Sequence, residues 1–81
     1  MSGVDTNRPA TVFITTQWEE DELARPRGIY TTPQAGMAAL DEEFGPHDWM
    51  EQAPSGDGLR HWRGGAYLWV DEVFLDRRLS P

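Results

Sequence analysis

The chain has 81 residues, with fourteen Asp and Glu against seven Arg, no Lys and no Cys, for a formal net charge of −7. That length allows one domain with a small core. The absence of cysteine excludes disulfides, Cys-based zinc sites and thiol chemistry, and the negative balance opposes a nucleic-acid binder, whose affinity comes from positive potential against phosphates.

Residues 1–10 are mostly polar and aperiodic and read as a flexible tail, without the basic start and apolar run of a secretory signal. Thr11-Val12-Phe13-Ile14-Thr15-Thr16-Gln17-Trp18 is rich in β-branched and aromatic residues and predicts a strand, with Val12, Ile14 and Thr16 on one face and Phe13, Thr15 and Gln17 on the other. Glu19-Glu20-Asp21-Glu22 is four adjacent carboxylates that repel one another and seek water, so it predicts an exposed turn. Gly28-Ile29-Tyr30-Thr31, starting as early as Arg27, predicts the second strand of an antiparallel hairpin; Pro26 holds Arg25 extended.

A helix follows. Thr32 suits its N-cap and Pro33 its first position, with Thr31 and Gln34 as an alternative capping box one residue earlier. Met37, Leu40 and Phe44 recur at helical spacing and form the stripe that faces a sheet, and Gly45-Pro46 ends the helix. Residues 46–58 have no clear period; His47 to Glu51 predicts at most one helical turn, and Pro54 to Gly58 a loop. Leu59 to Arg63, Gly64-Gly65 and Ala66 to Leu75 predict a second hairpin with a two-residue turn. Its long strand is apolar on both faces. One carries Ala66, Leu68, Val70 and Phe74, interrupted by Glu72; the other carries Tyr67, Trp69, Val73 and Leu75, interrupted by Asp71. A second apolar face needs a cover, from the 46–58 segment, another subunit or a foreign partner; a bulge near Asp71-Glu72 is the competing account.

The expected fold is α+β and two-layered: a single antiparallel sheet of about four strands in the order β-β-α-β-β, with one helix across it. The expected boundaries are a tail over 1–10, a domain over 11–76 and a short tail over 77–81. The longest apolar run, Ala66 to Val70, is too short to span a bilayer, so the expectation is a soluble, cytoplasmic protein without membrane partners.

Residues 11–40, TVFITTQWEEDELARPRGIYTTPQAGMAAL, and 69–76, WVDEVFLD, resemble a group of small strand-strand-helix-strand domains of bacteria and their phages. The resemblance covers a little under half of the chain and rests on pattern alone. It implies the α+β fold and an origin in a phage or mobile element; the group carries no assigned activity, so it implies no mechanism. Arginine used without lysine fits a GC-rich genome.

Catalytic and metal-binding constellations are weak. His47, Asp48 and Glu51 share no established ligand spacing, so no metal or other cofactor is expected. Asp71 and Glu72 are the least ordinary carboxylates because they interrupt an apolar strand, but guarding the sheet against aggregation explains them without catalysis. No nucleophile elbow and no phosphate-binding loop is present. Arg60, Arg63, Trp62 and Trp69 make a local arginine–aromatic patch of the kind that stacks bases, against the charge of the whole chain.

The expected function is therefore non-enzymatic: a small acidic interaction module that pairs with itself as a homodimer through an aromatic sheet face of Trp62, Tyr67 and Trp69, with acidic residues at the rim and Arg60 as a further contact residue. The alternative is a phage-type inhibitor that imitates nucleic-acid charge. In it, Glu19, Glu20, Asp21, Glu22, Asp41, Glu42 and Glu43 form one negative field that captures a basic host protein.

Overall fold

The computed structural model of the chain describes residues 10–20 and 23–75. Asp21, Glu22, Asp76 and the two expected tails, apart from Ala10, lie outside these. The fold is α+β, with strands β1 (Thr11–Trp18) and β2 (Ala24–Tyr30), helix α1 (Pro33–Phe44), then strands β3 (Trp49–Glu51), β4 (His61–Gly64) and β5 (Leu68–Phe74). These five strands join one antiparallel sheet in the order β2-β1-β5-β4-β3. Among the described residues no helix is long and apolar enough to cross a membrane.

The sheet has one strand more than expected. His47 to Glu51 is not helical; Trp49–Glu51 instead extends the sheet beside β4, with Trp49 opposite Gly64 and Glu51 opposite Trp62. The reason is tertiary. Trp49 closes over Gly64, where a β-carbon would lie 2.7 Å from two indole carbons, and its ring packs against the core. β2 also begins earlier, at Ala24. The register of β1 against β2 shifts between Thr15 and Thr16, whose partners are Gly28 and Pro26, so Arg27 is the extra residue of a bulge. No such shift occurs in β5 at Asp71-Glu72. The second hairpin turns through three residues rather than two, since Gly64 pairs with Leu68.

The helix begins as its sequence predicts. The Thr32 hydroxyl accepts from the Ala35 amide at 3.1 Å, and Pro33 fills the first turn, where its missing N–H costs nothing. At the other end the Gly45 amide donates to the Asp41 carbonyl at 2.8 Å. Leu40, Gly36 and Pro33 are the buried face. A β-carbon on Gly36 would stand 3.1 Å from Thr15 Cγ2 and 3.4 Å from Val70 Cγ1, so the missing side chain lets the helix settle close onto β1 and β5. Met37 packs at the margin of the core. Phe44, expected in the same stripe, is exposed; the Arg27 guanidinium lies 5.4 Å from its ring centre.

Strand alternation then assigns the faces. Phe13, Thr15, Leu68, Val70 and Trp62 lie under or beside the helix, where Phe13, Leu68, Val70, Trp62 and Leu40 form the buried apolar core. Val12, Ile14, Thr16, Ile29, Trp69, Asp71, Val73, His61, Arg63 and Met50 have the opposite parity and point to the face without a helix.

Candidate interaction surface

The residues expected to form one aromatic surface are separated by this register. Trp62 is opposite Val70 and buried on the helix side, with its ring centre 5.9 Å from that of Phe13. Tyr67 sits in the three-residue turn and is exposed. Trp69 alone of the three belongs to the open face. The physical cause is the pairing of β4 with β5, which sets residues 62 and 70 opposite each other and 63 opposite 69. An arginine–aromatic patch for stacking bases is divided in the same way. Arg60 lies over Phe13 and Trp62 on the helix side, whereas Arg63 lies 5.7 Å from the Trp69 ring centre on the other.

Arg60, expected as a contact residue, already has a partner in the chain. Its Nε and Nη2 donate to the Glu72 carboxylate at 3.2 and 3.3 Å, its amide donates to the same group at 3.0 Å, and the Thr11 hydroxyl donates at 2.8 Å. Glu72 is 8% exposed, so these bonds replace the water it has lost. The Arg60 hydrogen bonds hold the Glu72 carboxyl below the usual carboxylate range, against burial, which pushes it up; Thr11 and the Arg60 amide add to the depression. The same contact with Glu72 raises the Arg60 guanidinium. Glu72 is therefore a structural anchor at the end of the core.

The expected acidic field is partly cancelled. Arg25 Nε donates to Glu19 at 2.6 Å, and Arg27 bonds Glu43. Asp41 Oδ1 accepts from the Trp49 indole N–H at 3.0 Å and from the His47 amide at 3.1 Å, so Asp41 holds the path into β3 in place. The His47 ring lies beside the same oxygen, its Nδ1 3.4 Å away. Glu20 and Glu42 are exposed. Asp21 and Glu22 lie outside the described residues.

What the sheet leaves uncovered is the face opposite the helix. Ile29 is 68% exposed and Met50 67%. Between them run Ile14, Thr16 and Val12 of β1 and Trp69 and Val73 of β5, all half-buried within the sheet surface. The histidine and the charged groups of this face already make contacts within the chain. His61 Nδ1 is 2.7 Å from Asp71 Oδ1, directly across the β4–β5 ladder. Arg63 Nε donates to the Gly65 carbonyl at 2.9 Å while its guanidinium covers Trp69. An open cleft of about 600 Å³ at the β3 corner is bordered by Met50, Arg63, His47, Asp48 and Gln52. Among the described residues no group of three or more His, Asp or Glu is placed to hold a metal ion.

The sequence predicted that one sheet face would need a cover but pointed to Trp62 and Tyr67 for it. Ile29, Met50, Val12 and Ile14 were missed as members. For Val12 and Ile14 the signal was present in β1, where apolar residues occupy both parities; Ile29 and Met50 join the face only through the pairing of β2 and β3. No family model, no curated protein and no solved structure matches this chain.

Proposed function

We propose that the chain is a small non-enzymatic protein–protein interaction module whose working surface is the open sheet face. The observation that carries this is the placement of Ile29, Met50 and Trp69 on a contiguous face without a covering layer among the described residues, with α1 on the other side of the sheet. A sheet face with apolar residues at its centre and its few charged groups already bonded within the chain is what a protein partner covers at low desolvation cost. Aromatic and Met side chains are favoured in such contacts and Arg stacked on Trp is a frequent anchor.

Capture of a basic protein by the acids is the weaker function. Glu19 and Glu43 already hold arginines of the same chain, and Asp41 is occupied by backbone and indole donors.

The test is site-specific photo-crosslinking in the cells that carry the gene. A photoreactive side chain at Ile29 or Met50 is expected to give a discrete adduct, and the same group at exposed Gln34 on the helix is expected to give none. Absence of any adduct from the face positions, with the protein folded, sinks the proposal.

A further inference from the structure

If the open face is a docking surface, its occupant has to be compatible with the charge of the rest of the molecule. We infer that the occupant is a second copy of this chain, stacked face to face through Ile14, Ile29, Met50, Trp69 and Val73. The inference rests on the docking function proposed above and names the partner.

Charge is the first argument. The molecule carries −7 in all, whereas the interior of this face holds Arg63 against Asp71, with His61 bonded to the latter. Among the described residues ten Asp and Glu face four Arg, and this face holds one of each, so the described excess of negative charge lies elsewhere and two copies repel each other through those other surfaces. The nearly neutral face is where like-charged copies can meet. A strongly basic partner would be drawn to the exposed acids instead, and on this face it would meet Arg63.

The sheet edges give the second argument. A copy could also add to the sheet as a further strand, but β2 is a poor template. It carries Pro26, which has no N–H to offer, flanked by Arg25 and Arg27, and it is bulged. The other edge, β3, is three residues long. Face-to-face stacking is the route left open.

Size sets the strength. With strands about 4.8 Å apart and about 3.4 Å per residue, five strands of which the longest run seven or eight residues present on the order of 500 Å² per copy. A pair then buries about 1,000 Å², the lower bound of a specific interface. The expected dimer is therefore reversible and dependent on concentration. The His61–Asp71 bond and the Arg63 bond to Gly65 remain made when the face is covered, so burial strands no polar group among them.

Sedimentation equilibrium of the purified full chain tests this, at low and high salt. The expected result is a monomer–dimer equilibrium that holds or tightens as salt rises, because screening removes the repulsion between copies. Ile29→Glu and Ile29→Arg should each weaken it by about tenfold or more. Both change an exposed side chain, so folding is retained, and their opposite charges separate interface disruption from a change in net charge. Met50→Glu should act in the same direction. Gln34→Glu, an equal charge change on the helix, should leave it nearly unchanged. A strict monomer at a chain concentration of about 1 mM, where even millimolar affinity would populate the dimer, overturns the inference, and so does a dimer indifferent to Ile29 and Met50. The two proposals fail separately. A monomer whose face still crosslinks to a protein of another mass removes only the second copy, whereas a face that crosslinks to nothing removes docking itself.

Discussion

The Trp49 indole closes over Gly64 so tightly that a β-carbon there would lie 2.7 Å from Cη2 and Cζ3. This contact helps to seat β3 against β4, in a segment that has no period of its own. A ring cannot yield as a flexible side-chain tip does, so Gly64→Ala must displace the indole and stretch its bond to Asp41. The expected cost is about 1–3 kcal/mol by the scale of overpacked sites. Urea unfolding measures it, and the Trp49 indole N–H resonance should move while that of Trp69 does not.

Asp41 extends the same relationship to the helix. One carboxylate oxygen takes the indole N–H of Trp49 and the amide of His47, which ties the last helical turn to the start of β3. Asp41→Ala leaves both donors without this partner in a half-buried site. The expected loss is about 1–3 kcal/mol, with the greatest loss of amide protection in Trp49–Glu51. Hydrogen exchange that weakens uniformly, with no excess at β3, would show that Asp41 does not hold this strand.

The helix and the first strand were legible because their signals are local. Thr32 and Pro33 specify a start whatever the helix packs on, and Val12 to Gln17 alternate within one strand. β3 was not legible, because Trp49, Met50 and Glu51 carry no period and their place is fixed by a glycine fifteen positions away. The interaction surface was legible as a need but not as a residue set. Trp62 and Trp69 belong to different strands, and only the β4–β5 register decides that one faces the helix and the other does not. A register slip of one residue would put both on the same face. Glu72 looked like an interruption because a sequence does not show that Arg60 and Thr11 meet it.

The N-cap offers an independent check on the helix. Thr32→Ala removes the oxygen that accepts from the Ala35 amide, and Thr32→Ser keeps it. The expected loss is about 1 kcal/mol for Ala and much less for Ser. Thermal or urea unfolding of the two variants side by side decides it. Were Thr31 with Gln34 the effective cap, Thr31→Ala would be the costly change instead.

Glu72 makes the fold sensitive to acid in a defined direction. Its carboxyl is held below the usual carboxylate range in the folded chain, chiefly by Arg60, while an unfolded Glu titrates near about 4.3. The folded state thus binds the proton more weakly than the unfolded one. The stabilisation is fully present above the unfolded value and is lost as pH falls through it toward the folded value. Wild-type stability should therefore decline below about pH 5. Glu72→Gln should be less stable at neutral pH by about 1–3 kcal/mol, since it leaves the Arg60 guanidinium without its anion but keeps an acceptor for Thr11. Half of the Arg60 side chain is in water, which limits that loss. The two stability curves should converge on acidification, because protonation removes from the wild type what the substitution has already removed. Curves that stay parallel down to about pH 3 would mean that the Glu72 charge contributes nothing.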